Sequence, residues 1–169
     1  PQPPKTSSAA SDVYKRQVQN NAAWIYGEST NFAEYGRTPL TQMDQDWVVG
    51  VEVSNDGVNG QSNVTLLADF GTFTATASMT DTLYADSSSY VETLTDLSML
   101  GTGVYQGTYT VTSDSDQVGG PNFVDNVQER NFEITTDVYS LDGIDNHPAG
   151  TQTLGGYGSY TWPTDASDG

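Results

Sequence analysis

Hydrophobic residues recur at every second position in several short stretches of the chain, which is the spacing of a β-strand with one buried face. The clearest stretch places Trp47, Val49, Val51 and Val53 on the same face. The same alternation marks residues 63–70, 72–77, 89–94, 103–112 and 130–135. The pattern therefore predicts a series of short strands between residues 46 and 142.

Turn-forming residues separate these stretches. Asn55-Asp56-Gly57 and Asn59-Gly60 are typical of tight turns, since Asn and Gly tolerate positive φ. No stretch sustains the 3.6-residue apolar period of an amphipathic helix. Short strands with turns at intervals of roughly ten residues are typical of antiparallel sandwiches. We therefore predict an all-β protein, an immunoglobulin-like antiparallel β-sandwich formed by residues 46–142.

The regions on either side of this stretch differ from it in composition. Residues 18–45 contain one aromatic cluster, Trp24-Ile25-Tyr26, and we interpret them as a lead-in segment or an edge strand. Residues 143–169 are rich in Gly, Thr, Ser and Tyr, which predicts a linker or the truncated start of a next module.

Residues 1–17 differ from the rest in both charge and origin. Residues 7–17, Ser-Ser-Ala-Ala-Ser-Asp-Val-Tyr-Lys-Arg-Gln, resemble the translation of a transposon-based sequencing adapter over their whole length. We infer a non-native flank from a metagenomic assembly and begin the fold argument at Val18.

Charge excludes several classes of partner. The chain carries 5 Lys+Arg against 22 Asp+Glu, a net charge of −17. Without residues 1–17 the remaining cations are Arg37 and Arg130, and the net charge becomes 2 − 21 = −19. Nucleic acids and anionic membrane surfaces require the opposite sign, so we expect neither as a partner. The apolar runs are too short for a membrane span, and the absence of Cys excludes disulfides and thiolate chemistry. Like charge of this size fits an extracellular protein in saline water.

Two segments resemble a known family. The first is Val49–Gly57, continuing through Gln61–Leu66, and the second is Gly103–Val111, followed by Asp125-Asn126 and Arg130–Thr135. Their order and spacing are similar to the opening and closing patterns of CARDB-like domains, which are bacterial cell-adhesion-related modules with an immunoglobulin-like sandwich. Where family members often have a Pro-Gly turn, this chain has Asp86 followed by three serines.

The resemblance implies a module of a longer secreted or surface protein, often one exported by the type IX route. It implies a structural or adhesive role beside neighbouring domains of the same chain, at the cell surface or outside the cell. The family is not catalytic, so no catalytic residue is carried over.

The residues themselves give little support for an enzyme. His147 is the single histidine and lies in a turn-like stretch, and no serine lies in a G-x-S-x-G motif. Carboxylate pairs such as Asp44 with Asp46 and Asp81 with Asp86 are too common here to single out an active site. We expect no enzymatic activity.

One acidic loop resembles a twelve-residue calcium loop. Asp114, Asp116, Gly119, Asn122 and Asp125 fall at positions one, three, six, nine and twelve. Position five is a valine, position twelve is Asp instead of Glu, and the flanks read as strands. A calcium site formed by Asp114, Asp116 and Asp125 and a solvated acidic loop both remain open. The stretch from Asp142 to Asn146 is a weaker calcium candidate.

Aromatic residues offer a second binding chemistry. Tyr157, Tyr160 and Trp162 lie in the polar C-terminal stretch, where aromatic faces could stack on sugar rings or anchor the tail. The leading hypothesis is a non-catalytic extracellular module that spaces or presents neighbouring domains. The alternative is a calcium-dependent or carbohydrate-binding module with a glycan or another cell-surface ligand.

Overall fold

Two β-sheets contain all the strands of the residues that the computed structural model describes, which are 18–28, 36–116 and 123–140. The strands are β1 (Gln19–Gly27), β2 (Arg37–Pro39), β3 (Asp46–Asn55), β4 (Thr65–Asp69), β5 (Thr74–Ser78), β6 (Ser87–Asp96), β7 (Gly103–Thr112) and β8 (Val127–Thr135). Two short 3-10 helices, Leu40–Gln42 and Phe123–Asn126, precede β3 and β8.

The strand order is that of an immunoglobulin-type sandwich. One sheet has the order β1-β3-β6 and the other β2-β8-β7-β4-β5. These correspond to the A-B-E and G-F-C groups of strands, with β5 added beyond C and β2 beyond G. Every pair is antiparallel except β2 with β8, which is parallel over residues 37–39. The predicted all-β antiparallel sandwich is confirmed apart from this short parallel pair, and β1 and β2 bring residues before Asp46 into its sheets.

The core forms where the inward faces of the two sheets meet. Trp47, Val49, Val51 and Val53 are at most 1% exposed, so the face predicted from their alternation is buried. The alternation of the other stretches is borne out in the same way, except that Tyr105, which the pattern also points inward, is only partly buried. The buried residues are Val64, Leu66, Ala68, Phe70, Tyr109, Val111, Phe132 and Ile134. Burying a large apolar side chain stabilises a fold by about 1.5–3 kcal/mol, so this alternation is the main source of stability.

Aromatic rings fill one half of the core. Phe70 stacks on Phe73 at a centroid distance of 4.5 Å and meets Tyr109 and Phe132 edge-on at 5.6 Å and 5.7 Å. Phe132 in turn stacks on Trp47 across the two sheets, at 6.1 Å. This cluster joins the sheets, because Trp47 belongs to one sheet and its partner to the other.

The sandwich has two ends that the register defines. At the first end Gln19 pairs with Ser54, and the Gln128 side chain donates to the backbone oxygen of Asn20 at 3.0 Å. At the second end Thr135, the last residue of β8, pairs with Pro39. From residue 128 to residue 135, β8 advances about 23 Å, at about 3.3 Å per residue.

Candidate functional site

The loops at the first end contain the residues for which the sequence predicts binding chemistry. The β3–β4 loop and the β5–β6 connection are joined by two backbone hydrogen bonds between Gln61 and Leu83, at 2.8 Å and 2.9 Å. Asn55 is fully buried and donates to the backbone oxygens of Asn59 and Leu83, while its own side-chain oxygen accepts from Gly57 N–H. These contacts hold the two connections against the end of β3.

Asp86 closes the turn before β6. Its φ is +55°, the left-handed conformation that Asp tolerates better than most residues, and its N–H donates to the Asn55 oxygen at 2.9 Å. From there β6 pairs with β3 over all ten of its residues, from Ser87 to Asp96. A single Asp in this conformation makes the turn where the resembled family often has Pro-Gly.

Asp114 ties the loop after β7 to the β3–β4 loop. One of its carboxylate oxygens accepts hydrogen bonds from the Ser62 hydroxyl at 2.8 Å and the Asn63 amide at 2.7 Å. These two bonds, the one from Asn63 first, lower the pKa of the Asp114 carboxyl. The side chain is exposed and stays ionised at neutral pH, so its hydrogen bonds link the two loops.

Asp116 is bound more locally and is partly buried. Its Oδ2 accepts hydrogen bonds from the N–H and the hydroxyl of Ser113, at 2.6 Å and 2.9 Å. Burial raises the pKa of the Asp116 carboxyl, and the hydrogen bonds from Ser113 and Asn126 oppose this shift only in part. Asn126 is itself buried and donates to the Val111 oxygen at 3.0 Å, which fixes the start of β8 to the end of β7.

The predicted calcium ligands are thus distributed among separate contacts. Asp114 binds one neighbouring loop, Asp116 binds Ser113, and Asp125 lies in the 3-10 helix before β8. Among the residues described here, no three His, Cys, Asp or Glu side chains are grouped as a metal site would need. Gly119 and Asn122 lie outside the described residues, so the calcium loop stays a prediction.

Other candidate residues are also outside the described part of the chain. They are His147, the stretch from Asp142 to Asn146, and the aromatic residues Tyr157, Tyr160 and Trp162. The two carboxylate pairs named from the sequence, Asp44 with Asp46 and Asp81 with Asp86, are described and exposed.

Sequence reasoning missed a surface on the outside of the three-stranded sheet. We call it the acidic-aromatic face, and its residues are Trp24, Tyr26, Asp46, Glu52, Tyr90, Glu92, Leu94 and Asp96. Tyr90 is 67% exposed and Leu94 is 54% exposed, although both lie in the middle of a strand. The signal was present in the alternation of residues 90, 92 and 94, which point away from the core once Val91 points into it.

Side-chain packing on this face is specific. The Trp24 ring lies directly over Gly50, whose missing side chain provides the space: a Cβ there would be 2.6 Å from the indole nitrogen. Trp24 and Tyr90 meet edge-to-face, with centroids 5.6 Å apart and planes at 77°. Burial first and the charge of Glu92 second raise the pKa of the Tyr26 hydroxyl.

Comparison with known proteins adds no relative to this picture. No protein-family model matches the chain, and a search of curated proteins also finds no match. None of the helices in the described segments has the length and apolar character that crossing a membrane would require.

Proposed function

We propose that this chain is a non-catalytic extracellular module that spaces or presents neighbouring domains of a larger secreted or surface protein, in the manner of the CARDB-like domains it resembles. The observation that carries the proposal is the position of the first and last strands. β1 begins beside Gln128 at the first end, and β8 ends beside Pro39 at the second. After Thr135 the chain turns back, so that Ser140, the last residue described here, bridges Arg37 two residues short of the second end. Because the chain enters at the first end and is last described near the second, we expect the domains on its two sides to be kept apart.

The residues that carry the resemblance support the same reading, because their contacts are structural. Asn55 and Gly57 bond with each other and close the turn after β3, Asn126 bonds to the end of β7, and Phe132 fills the core. These four members of the two segments stabilise turns and core, as expected of a scaffold. The proposed extracellular setting rests on the strongly acidic composition, which suits saline surroundings.

Small-angle X-ray scattering of one copy and of two copies in tandem tests this function. A spacing module predicts that the second copy adds a fixed length of about 30–40 Å to the maximum dimension, since a ten-residue strand spans about 33 Å. The increment should be the same with calcium and with a chelator. Two copies that collapse side by side, or a length that depends on calcium, would contradict the proposal.

A binding screen separates the module from its alternative. Melting curves with calcium, with chelator and with a panel of soluble glycans should coincide, because a ligand that binds only the folded state must raise the melting temperature. A reproducible rise with calcium or with one class of glycan would favour a binding module.

A further inference from the structure

The acidic-aromatic face contains two kinds of side chain in alternation. Across the three strands, Glu52 lies directly opposite Tyr90, and Glu92 lies opposite Gly50, which Trp24 covers. Side chains on directly opposed positions are about 5 Å apart at Cβ, so each carboxylate borders an aromatic ring. The exposed part of this surface is therefore an apolar centre with acidic neighbours.

The face also holds an unbalanced pair of like charges. Asp46 and Asp96 occupy directly opposed positions on β3 and β6, and both are exposed. Opposed like charges destabilise a sheet. The N–H of Ser98 donates to an Asp96 oxygen at 2.9 Å, and the hydrogen bonds from Ser98 lower the pKa of this carboxyl, so it remains ionised at neutral pH. This pair lies six register positions from Glu52 and Tyr90, about 20 Å along the strands, so a bound segment would have to extend along the face to place a second cation beside it.

Within the part of the chain that the structure describes, no cation lies on that face. From residue 18 onward the sequence contains only Arg37 and Arg130. Arg37 lies on β2 and pairs with Glu133 at 2.7 Å, and Arg130 lies on β8. Both strands belong to the opposite sheet. With residues 1–17 set aside as a non-native flank, nothing in the described segments supplies a compensating charge on this side of the sandwich.

We propose that the acidic-aromatic face is a docking surface for an arginine-bearing segment of a partner protein. A guanidinium group is planar, stacks on aromatic rings and donates hydrogen bonds to carboxylates, so it meets both features of the face at once. Exposed Tyr90 supplies apolar contact for the methylene stem of the side chain, and Leu94, four residues along β6, supplies it for a neighbouring part of the segment.

The geometry distinguishes this occupant from two others. A sugar ring stacks best on aromatic rings that form one flat platform, whereas the planes of Trp24 and Tyr90 meet at 77° and form a corner. A metal ion needs several carboxylates converging on one point, and the described residues contain no such group. A metal would also leave the exposed Tyr90 and Leu94 without a role.

The test uses the whole chain and the blocked peptide acetyl-Gly-Arg-Gly-Arg-Gly-amide, with the same peptide carrying citrulline in place of arginine as a neutral control. Two-dimensional NMR titration at low salt should shift the signals of Trp24, Glu52, Tyr90 and Glu92 with the arginine peptide and much less with the citrulline peptide. Binding should weaken as salt is added, because the pairing is ionic.

Variants locate the site. The double change E52Q/E92Q should weaken binding at least about fivefold, while E129Q/D137N, which removes the same charge elsewhere, should change it by less than about twofold. Tyr90→Ala should weaken binding and Tyr90→Phe should not, since the phenyl face is what the guanidinium contacts. Preserved NMR dispersion in each variant shows that the fold is intact.

Several results would overturn the proposal. If E129Q/D137N weakened binding as much as E52Q/E92Q does, the peptide would be responding to the net charge of the protein and not to this face. If the citrulline peptide bound as tightly as the arginine peptide, the positive charge would play no part in binding. Shifts centred on Asp114 and Asp116 would place the binding at the first end. The same shifts with calcium alone, reversed by chelator, would identify a metal site instead of a peptide site.

Discussion

A single methyl group added at Gly107 should measurably destabilise the sandwich. Gly107 lies on β7 beneath the ring of Phe70, and an added Cβ would be 2.6 Å from the ring Cζ and 2.9 Å from the Arg130 backbone oxygen. Ordinary contact begins near 3.4 Å. The ring would have to retreat by roughly 1 Å, yet Phe73 stacks on it at 4.5 Å. The backbone oxygen has even less freedom to move.

Overpacking of a close-packed core costs about 1–3 kcal/mol. Because both a confined ring and a main-chain atom obstruct the new methyl, we expect Gly107→Ala to lower the free energy of unfolding by about 2 kcal/mol. Urea denaturation followed by tryptophan fluorescence measures this change. The matched control is Gly101→Ala, where a Cβ meets nothing within 4 Å, and a change below about 0.5 kcal/mol is expected.

A double-mutant cycle shows whether Phe70 is the cause. In a Phe70→Leu background the smaller side chain leaves space, so Gly107→Ala should cost at least about 1 kcal/mol less than in the parent. If Gly107→Ala matches the parent in stability, or if Gly101→Ala loses as much, then the packing described for this cluster is wrong.

Three further predictions concern polar contacts. Asn55→Ala should lower the free energy of unfolding by about 2–4 kcal/mol in urea denaturation, because it removes three hydrogen bonds and leaves the buried Gly57 N–H without its acceptor, while the Asn59 and Leu83 oxygens each keep a donor from Gln61; a loss below about 1 kcal/mol would contradict this. Glu133→Gln should cost about 0.2–1 kcal/mol, since its pair with Arg37 is partly exposed, and added salt should reduce that cost in the parent. The third prediction is a pair of opposite pH dependences, measured by urea denaturation between about pH 2.5 and 7. Asp114 has a lowered pKa, so the stability that it contributes is present above about pH 3.8 and is lost as the pH falls through its folded-state pKa. Asp114→Asn should therefore make the free energy of unfolding depend less on pH in this range. Asp116 has a raised pKa, so the stability that it contributes is present below about pH 3.8 and is lost as the pH rises through its folded-state pKa. Asp116→Asn should therefore become more stable relative to the parent as the pH approaches neutral. If the two variants showed the same dependence of stability on pH, the assignment would be refuted.

Period-two alternation was enough to predict the core strands and which way they face. Val49, Val51 and Val53 point inward as predicted. Shifting the strand register by one residue would turn all three side chains to the outer face, so their alternation specifies the register strongly. β2 could not be found in the same way. It has three residues, of which Pro39 is one, and it pairs in parallel with β8 through contacts that are distant in sequence.

The polar residues were harder to interpret. Asn20, Asn55, Gln61 and Asn126 are each at most 2% exposed, although nothing in the sequence distinguishes them from surface amides. The side chains of the three asparagines donate to backbone oxygens elsewhere in the fold, and that of Gln61 accepts from the Ser113 hydroxyl at 3.1 Å. Local composition cannot distinguish an amide that faces water from one that closes a sandwich end. The outer aromatic residues were missed for a related reason: alternation identifies two faces of a strand, and only the sheet pairing shows what the second face brings together.

The most direct test of the spacing function is the distance between the two ends of the folded module. Since the chain contains no cysteine, Asn59→Cys at the first end and Met99→Cys at the second can be spin-labelled without competing thiols. Both positions are exposed. Pulsed electron–electron double resonance should give one narrow distribution of distances between the two labels, centred at about 30–40 Å and unchanged by calcium, chelator or salt. A broad or multiple distribution, or a distance that shortens when calcium is removed, would contradict the account.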